Sequence, residues 1–419
     1  MNASVLSKAT LFLKNQQRDW KITVIRTSFD KLAYQMVFPY LSIYIVALGA
    51  TVTQLGIVNS LGMIAAGVIG PFTGWFIDRT GPKKIYLFGI GLLAVSYFTY
   101  AVAQSWLVTI LAMAGYWMGS SVSLHSCATV CGNCLVNEDR ATGMMICETV
   151  AAGLLGMAGP MIGAWLVTLF GGANVSGIRP LFFFGLLITL ATFTLIWTQL
   201  ADTRWRVKTV IEPNIFRDLF QVLREGNHLK RWLLISSVTQ FPLAMVFPFS
   251  QVFAHEIKGA DAFILGAMVA ASAVTSIALA VPLGRLADRV GRKKVLYGTI
   301  PLFWLSNLIL VWSPSSVFLI LAGVLQGFYF LGGPIAAAME RELAPAEQMG
   351  RWLGIARFFR MLFSALMVFL SGLIWDRIGP HYVFLTYVSL DLVLRAPLLV
   401  SMPETLSLKL KSQIPAMKR

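Results

Sequence analysis

Two stretches of this chain, Ile85 to Val130 and Leu302 to Ala338, contain no Asp, Glu, Lys or Arg at all. A helix of ~20 apolar residues crosses the hydrocarbon core of a bilayer, so each stretch is long enough for two crossings. The rest of the 419 residues reads the same way. Some 57% are hydrophobic and only 13% charged, where a soluble chain carries roughly 25% charged residues. Apolar runs marked off by charged punctuation predict twelve spans, at 22–48, 54–77, 85–104, 106–134, 142–169, 180–199, 231–254, 262–286, 295–313, 316–339, 351–375 and 381–401. Links as short as 49–53 and 313–315 make neighbouring spans antiparallel. The expected fold is an all-α integral membrane protein with twelve transmembrane helices.

The net charge of +15 would suit a nucleic-acid binder, but its placement argues for topology instead. With both termini in the cytoplasm, nearly all Lys and Arg fall on that side. Counting the segment through Lys31 and the basic residues at span ends as cytoplasmic, only Arg179, Lys258 and Arg377 of the 34 lie in loops on the opposite side, and Arg357, Arg360 and Arg395 fall inside spans. Lys and Arg are retained on the cytoplasmic side, so an even number of spans and inward termini support each other. The basic excess then faces anionic lipid and needs no nucleic acid. The first 20 residues lack the apolar core of a signal peptide, so the first span is expected to direct insertion into the cell membrane. Four cysteines are too few for a disulfide framework.

The longest link, 201–230, divides the chain into a six-span bundle at 1–200 and another at 231–419. Within the link, Pro213 can open a helix on which Phe216, Leu219, Phe220 and Leu223 share a face, the pattern of a helix lying on the membrane surface. The two bundles repeat each other. Gly74-Trp-Phe-Ile-Asp78-Arg79-Thr-Gly81-Pro-Lys83 answers Gly284-Arg-Leu-Ala-Asp288-Arg289-Val-Gly291-Arg292-Lys293 at an offset of 210. Met36-Val-Phe-Pro39-Tyr40 answers Met245-Val-Phe-Pro248-Phe249 at 209, Met118-Gly119 answers Gln326-Gly327 at 208, and Gly143 answers Gly354 at 211. Two such halves related by an axis along the membrane normal form one of the recurrent transporter designs, with substrate held between them near the midplane.

On these residues the chain resembles the major facilitator superfamily over essentially its whole length. The Gly-x-x-x-Asp-Arg-x-Gly-Arg-Lys loop is that family's most specific motif; the second copy is complete and the first has Pro82 in place of a basic residue. The resemblance implies that these loops act as conformational latches. Small residues such as Gly74 and Gly284 would let helices approach, Gly81 and Gly291 suit turns with positive φ, and Asp78 and Asp288 would receive amides or an Arg from a neighbouring helix. The fifth span, with Gly153, Gly156, Gly159-Pro160 and Gly163-Ala164, is similar to the antiporter motif of drug:proton exchangers. The fourth span has no Arg or Lys, although proton-coupled exporters of the family usually place an Arg there.

Ionisable residues inside spans are costly and mark functional sites. Arg26 and Asp30 lie four apart on one face of the first span, and Glu148 lies in the fifth. Arg357 and Arg360 occupy comparable depth in the eleventh span, where they could bridge to those carboxylates or hold an acidic substrate group. His125 could relay protons. Asp391 and Arg395 read as a structural pair, and Glu340, Arg341 and Glu342 as part of the latch network. Tyr34, Tyr40, Phe249 and Tyr329 are among the aromatics that could line an amphipathic cavity.

Together these readings predict a monomeric secondary transporter that exports a small organic solute by alternating access in exchange for protons. The alternatives are a uniporter or symporter for an organic anion or other metabolite and, more remotely, a membrane sensor that transports nothing. No metal cluster, nucleophile motif or phosphate loop is present in the sequence, so neither an enzyme, a metal nor a cofactor is expected.

Overall fold

A computed structural model describes residues 16–135, 152–202, 227–343 and 349–401. They form twelve helices in chain order. The first six are α1 (Arg18–Ala47), α2 (Val52–Thr80), α3 (Pro82–Val102), α4 (Trp106–Cys134), α5 (Ala152–Leu169) and α6 (Val175–Gln199). Next comes α7, built of Asn227–Val238, Pro242–Val246, Phe247–Val252 and Phe253–Ile257, followed by α8 (Ala262–Val290), α9 (Arg292–Trp312), α10 (Ser316–Leu343) and α11 (Met349–Arg377). The last, α12, comprises Pro380–Leu390, Asp391–Arg395 and Ala396–Val400. Eleven of them follow the predicted spans closely at both ends, and α5 is described only from Ala152. The largest difference is at α6, which begins at Val175, ahead of its predicted start at Pro180. The amphipathic segment at 213–224 and Glu148 lie outside the described residues, as do the side chains of Asp78, Glu340, Arg341 and Glu342.

Ten of the twelve are long and apolar enough to cross a membrane on their own account. The other two are α1, interrupted by Arg26, Asp30 and Lys31, and α5, whose described part is short. Large side chains such as Leu111 and Val317, each 73% exposed, face outward, where lipid makes apolar exposure favourable rather than costly.

The repeat does not extend to helix shape. Pro39 sits inside a continuous α1, whereas α7 is interrupted by wider five-residue π turns at Pro242–Val246 and Phe253–Ile257. Proline removes an amide donor and crowds the preceding turn. Pro248 crowds the turn at Pro242–Val246, whereas no proline accompanies the one at Phe253–Ile257.

Helix α1 packs on α4, α5 and α6, and α3 on α4 and α6; later in the chain α8 and α9 pack on α10, and α9 on α12. The main contacts joining the earlier helices to the later ones are α2 with α11, α5 with α8, and α1 with α7 and α8. These contacts gather at the end of the bundle opposite the basic α2–α3 and α8–α9 turns. There the Thr53 amide donates to Asp376 Oδ2 at 2.8 Å, Thr53 Oγ1 to the Gly372 carbonyl at 3.0 Å, and Ser60 Oγ to the Ala365 carbonyl at 2.6 Å. Tyr40 Oη donates to the Ala262 carbonyl at 2.8 Å. The seam is close enough that a Cβ on Gly56 would sit 2.9 Å from the Val368 oxygen, and one on Gly372 2.7 Å from the Val52 oxygen. Small residues allow this approach.

Among the described residues, no heavy atom of another helix lies within 4 Å of where a Cβ would stand on Gly74 of α2 or Gly284 of α8. The turns themselves follow expectation, with φ of +90° at Gly81 and +117° at Gly291. Several of their charges are used within their own group of helices. Lys83 Nζ donates to the Leu200 carbonyl at 2.6 Å and Lys293 Nζ to the Val400 carbonyl at 2.8 Å. Both lysines thus meet the negative, carbonyl-bearing end of a helix, α6 in one case and α12 in the other. Arg79 lies over the Trp75 ring at 4.1 Å, a cation–π contact. Asp288 pairs with Arg292 at 3.8 Å while staying 70% exposed, and Arg289 is exposed.

Candidate functional site

A cavity of about 440 Å³ lies among α7, α9, α10, α11 and α12. Its wall includes Gln240, Phe303, Tyr329, Arg357, Arg360 and Arg395. Arg357 and Arg360 reach it together because residues three apart share a helix face. Tyr329 and Phe303 stack obliquely with centroids 5.3 Å apart and give the cavity an aromatic side.

Arg357 also reaches out of its own group of helices. Its Nη1 lies 3.4 Å from Nε2 of His125 on α4. The other ring nitrogen, Nδ1, is 2.7 Å from the Ser121 carbonyl. A carbonyl only accepts, so Nδ1 carries the proton and Nε2 is the acceptor for Arg357. His125 is therefore placed as a neutral ring tying α4 to α11.

Behind the wall sits a second polar group. Asp391 is fully buried. Trp304 Nε1 donates to its Oδ2 at 2.6 Å, and Arg395 Nη1 lies 3.4 Å from its Oδ1. The pair expected from the four-residue spacing is formed. The sequence missed that Arg395 also borders the cavity. The π winding of Asp391–Arg395 changes which way the helix presents these residues, and no residue type announces it.

On the earlier helices, Arg26 Nη2 pairs with Asp30 Oδ1 at 3.3 Å; Arg26 is buried and Asp30 half-buried. The Arg26 guanidinium stands over Tyr86 at 5.0 Å. Since α1 begins at Arg18, Asp30 lies about 18 Å along it at 1.5 Å per residue. Tyr34 stacks on Tyr116 of α4 at 5.9 Å and is half-buried. Two aromatics expected in a cavity are packed instead. Tyr40 is fully buried with its hydroxyl spent on Ala262, and Phe249 is fully buried against Trp375. Tyr40 belongs to the closed seam, and Phe249 fills space between α7 and α11. Of the four aromatics singled out, Tyr329 borders the cavity.

The small residues of α5 press on α1. A Cβ on Gly159 would lie 2.9 Å from Gln35 Cβ and 3.0 Å from the Leu32 oxygen, and Gly163 meets Met36 and Tyr40. Across the seam, a Cβ on Gly266 of α8 would lie 2.7 Å from the Pro160 carbonyl. Gly156 lies one turn earlier on the same helix. In this conformation the stretch acts as a packing surface for α1 and α8.

The sequence profile of the Major Facilitator Superfamily matches residues 27–263 and again 232–412. The chain is 26% identical over 310 residues to the "Multidrug resistance protein MdtG" of Dickeya zeae, covering 70% of this chain and 72% of that protein. It is 24% identical over 318 residues to the protein of that name from Yersinia enterocolitica, covering 71% of each. Among solved structures, the nucleoside transporter NupG superposes with a TM-score of 0.70 at 17% identity, covering 92% of this chain and all of that one. A D-xylose-proton symporter superposes with a TM-score of 0.71 at 15% identity, covering 93% and 99%. At such identities the superpositions speak for the fold alone.

Proposed function

Because this chain belongs to the major facilitator superfamily and is a multi-pass transporter of small molecules rather than an enzyme, we propose that it exports a small organic solute by alternating access. The observation that carries this reading is the contrast between the two ends. The α2–α11 and α5–α8 seams are closed at one end, while at the other no described residue of another helix comes within 4 Å of a Cβ placed on Gly74 or Gly284. With the basic end in the cytoplasm, as retention of Lys and Arg there implies, this is the inward-open state. Transport follows when the two six-helix halves, 1–200 and 231–419, rock as units about the midplane. The seam opens, and the latch glycines on α2 and α8 gain neighbours. The chain works as a monomer in the cell membrane, with both termini cytoplasmic and its basic loops against anionic lipid.

Protons are the first reading for the driving ion. The relatives' name, multidrug resistance protein, supports export, and Asp30 and His125 are membrane-embedded groups able to take up a proton. A second reading is favoured by Arg357, Arg360 and Arg395 on one wall: an organic anion leaves without protons, since an inside-negative potential contributes ~2.3 kcal/mol per charge per 100 mV. Reconstituted vesicles separate the two. Solute flux driven by a pH gradient at zero potential, and lost in Asp30→Asn with His125→Gln, supports exchange. Flux that follows potential alone rejects it. Absence of flux for every solute that binds would reject transport itself.

A further inference from the structure

The charge balance of the cavity selects among solutes. Three arginines border it. The carboxylate behind them, Asp391, is committed to Trp304 and Arg395 at 2.6 and 3.4 Å. Arg357 has no such counter-ion: among the described residues no carboxylate pairs with it. The partner it does have, His125, is neutral in the tautomer that Ser121 imposes. A half-buried guanidinium compensated, among the described residues, only by a neutral ring retains most of its desolvation cost, and an arriving anion would relieve it. Its planar fork of donors matches carboxylate, sulfonate and phosphate oxygens. Facing it are Ile300, Phe303, Tyr329, Phe330 and Met361, and 440 Å³ lies within the range of drug-sized sites.

We propose that Arg357, with Arg360 on the same face, is the recognition subsite for an organic anion with an aromatic or other apolar body, and that this anion takes Arg357 away from His125 as it binds. The inference rests on the cavity being the solute's route. It adds a trigger to that reading. The α4–α11 hydrogen bond is exchanged for a charge-assisted bond to cargo, so loading releases a tie between the two sets of helices that must rock.

The test uses the full chain in lipid nanodiscs and matched probes: aryl carboxylates and sulfonates of one to three rings, their uncharged amides and sulfonamides, and arylmethylammonium ions of the same size. Binding is read by thermal unfolding and tryptophan fluorescence. At least one anion series is expected to bind about tenfold or more above its neutral and cationic counterparts, in line with a charge-assisted hydrogen bond. Arg357→Gln should abolish that preference and Arg357→Lys retain part of it. His125→Ala should tighten anion binding, because Arg357 no longer has to leave a partner; a purely structural role for the pair would not produce that gain. The proposal is overturned if no anion in the panel exceeds its neutral match, or if folded Arg357→Gln keeps the preference. Anion binding without flux in vesicles upholds the subsite and rejects the transport reading instead.

Discussion

Arg357 on α11 and His125 on α4, 232 positions apart in sequence, meet at 3.4 Å as donor and neutral acceptor. A second proton on the ring would go to Nε2, the atom facing the guanidinium. The acceptor would become a donor beside a like charge, which disfavours the contact. The tie therefore exists with the neutral ring and is lost on the acid side of the His125 titration.

Acidification is expected to shift the conformational equilibrium through this contact. Spin labels at Ala47→Cys and Ile378→Cys, both exposed at the sealed end, report the separation of α1 and α11. The mean distance should change on acidification in the otherwise native protein and stay constant in His125→Gln, whose side chain does not titrate. An unaltered pH response in His125→Gln would reject this role.

Filling the glycine seam should force it open. In Gly56→Ala or Gly372→Ala the added Cβ meets backbone at 2.9 or 2.7 Å, which a side-chain rotation cannot relieve. Overpacking of this kind costs about 1–3 kcal/mol, enough to move a balanced equilibrium from about fivefold to over a hundredfold toward the state open at that end. The same pair of labels should move apart, and transport should slow.

Asp391→Asn is expected to lower thermal stability sharply, because it leaves the buried Arg395 without its counter-ion. Removing one member of a buried pair costs roughly 3–5 kcal/mol. Adding Arg395→Gln should recover much of the loss. Unfolding in detergent across the single and double variants measures the coupling; additive losses would mean that the two side chains act independently.

The two lysine caps make a milder prediction. Lys83→Met and Lys293→Met each remove a donor from the carbonyl end of a helix, worth about 0.3–1 kcal/mol. The two sites lie in separate turns, so their effects on stability should add, with solute affinity unchanged. A loss of affinity in either variant would place these lysines nearer the solute path than the structure does.

The twelve helices were legible because span length is a local property: an uncharged run either crosses a bilayer or it does not. The positive-φ turns at Gly81 and Gly291 were legible for the same reason, since a helix end followed at once by another helix needs a residue free of Cβ. The sealed end was not. It is made by Gly56, Ser60, Thr53 and Gly372, residues too common in membrane helices to stand out, and their effect depends on what faces them. Tyr40 and Phe249 look like Tyr329 in sequence, yet Tyr40 fills the seam, Phe249 packs between α7 and α11 and Tyr329 borders a cavity; helix rotation and tilt decide which. The Asp391–Arg395 pair was visible in its spacing, but its outlook on the cavity depends on a π turn. His125 stood out as a titratable residue, though nothing near it in the chain names Arg357 as its partner.

The end of α6 is fastened to the start of α1 as well as to the α2–α3 turn. Arg18 donates to Gln199, the Ala201 amide to Asp19, and Lys83 to Leu200. Every residue in that clasp precedes Asn227 in the chain and is synthesised before the later helices. The first six helices can close on one another while the remainder is still being synthesised, so the clasp permits membrane insertion in two instalments. A gene split within codons 203–226 is accordingly expected to give two polypeptides that reassemble in the membrane, whereas a split between α3 and α4 would leave the clasp with half its members on each fragment.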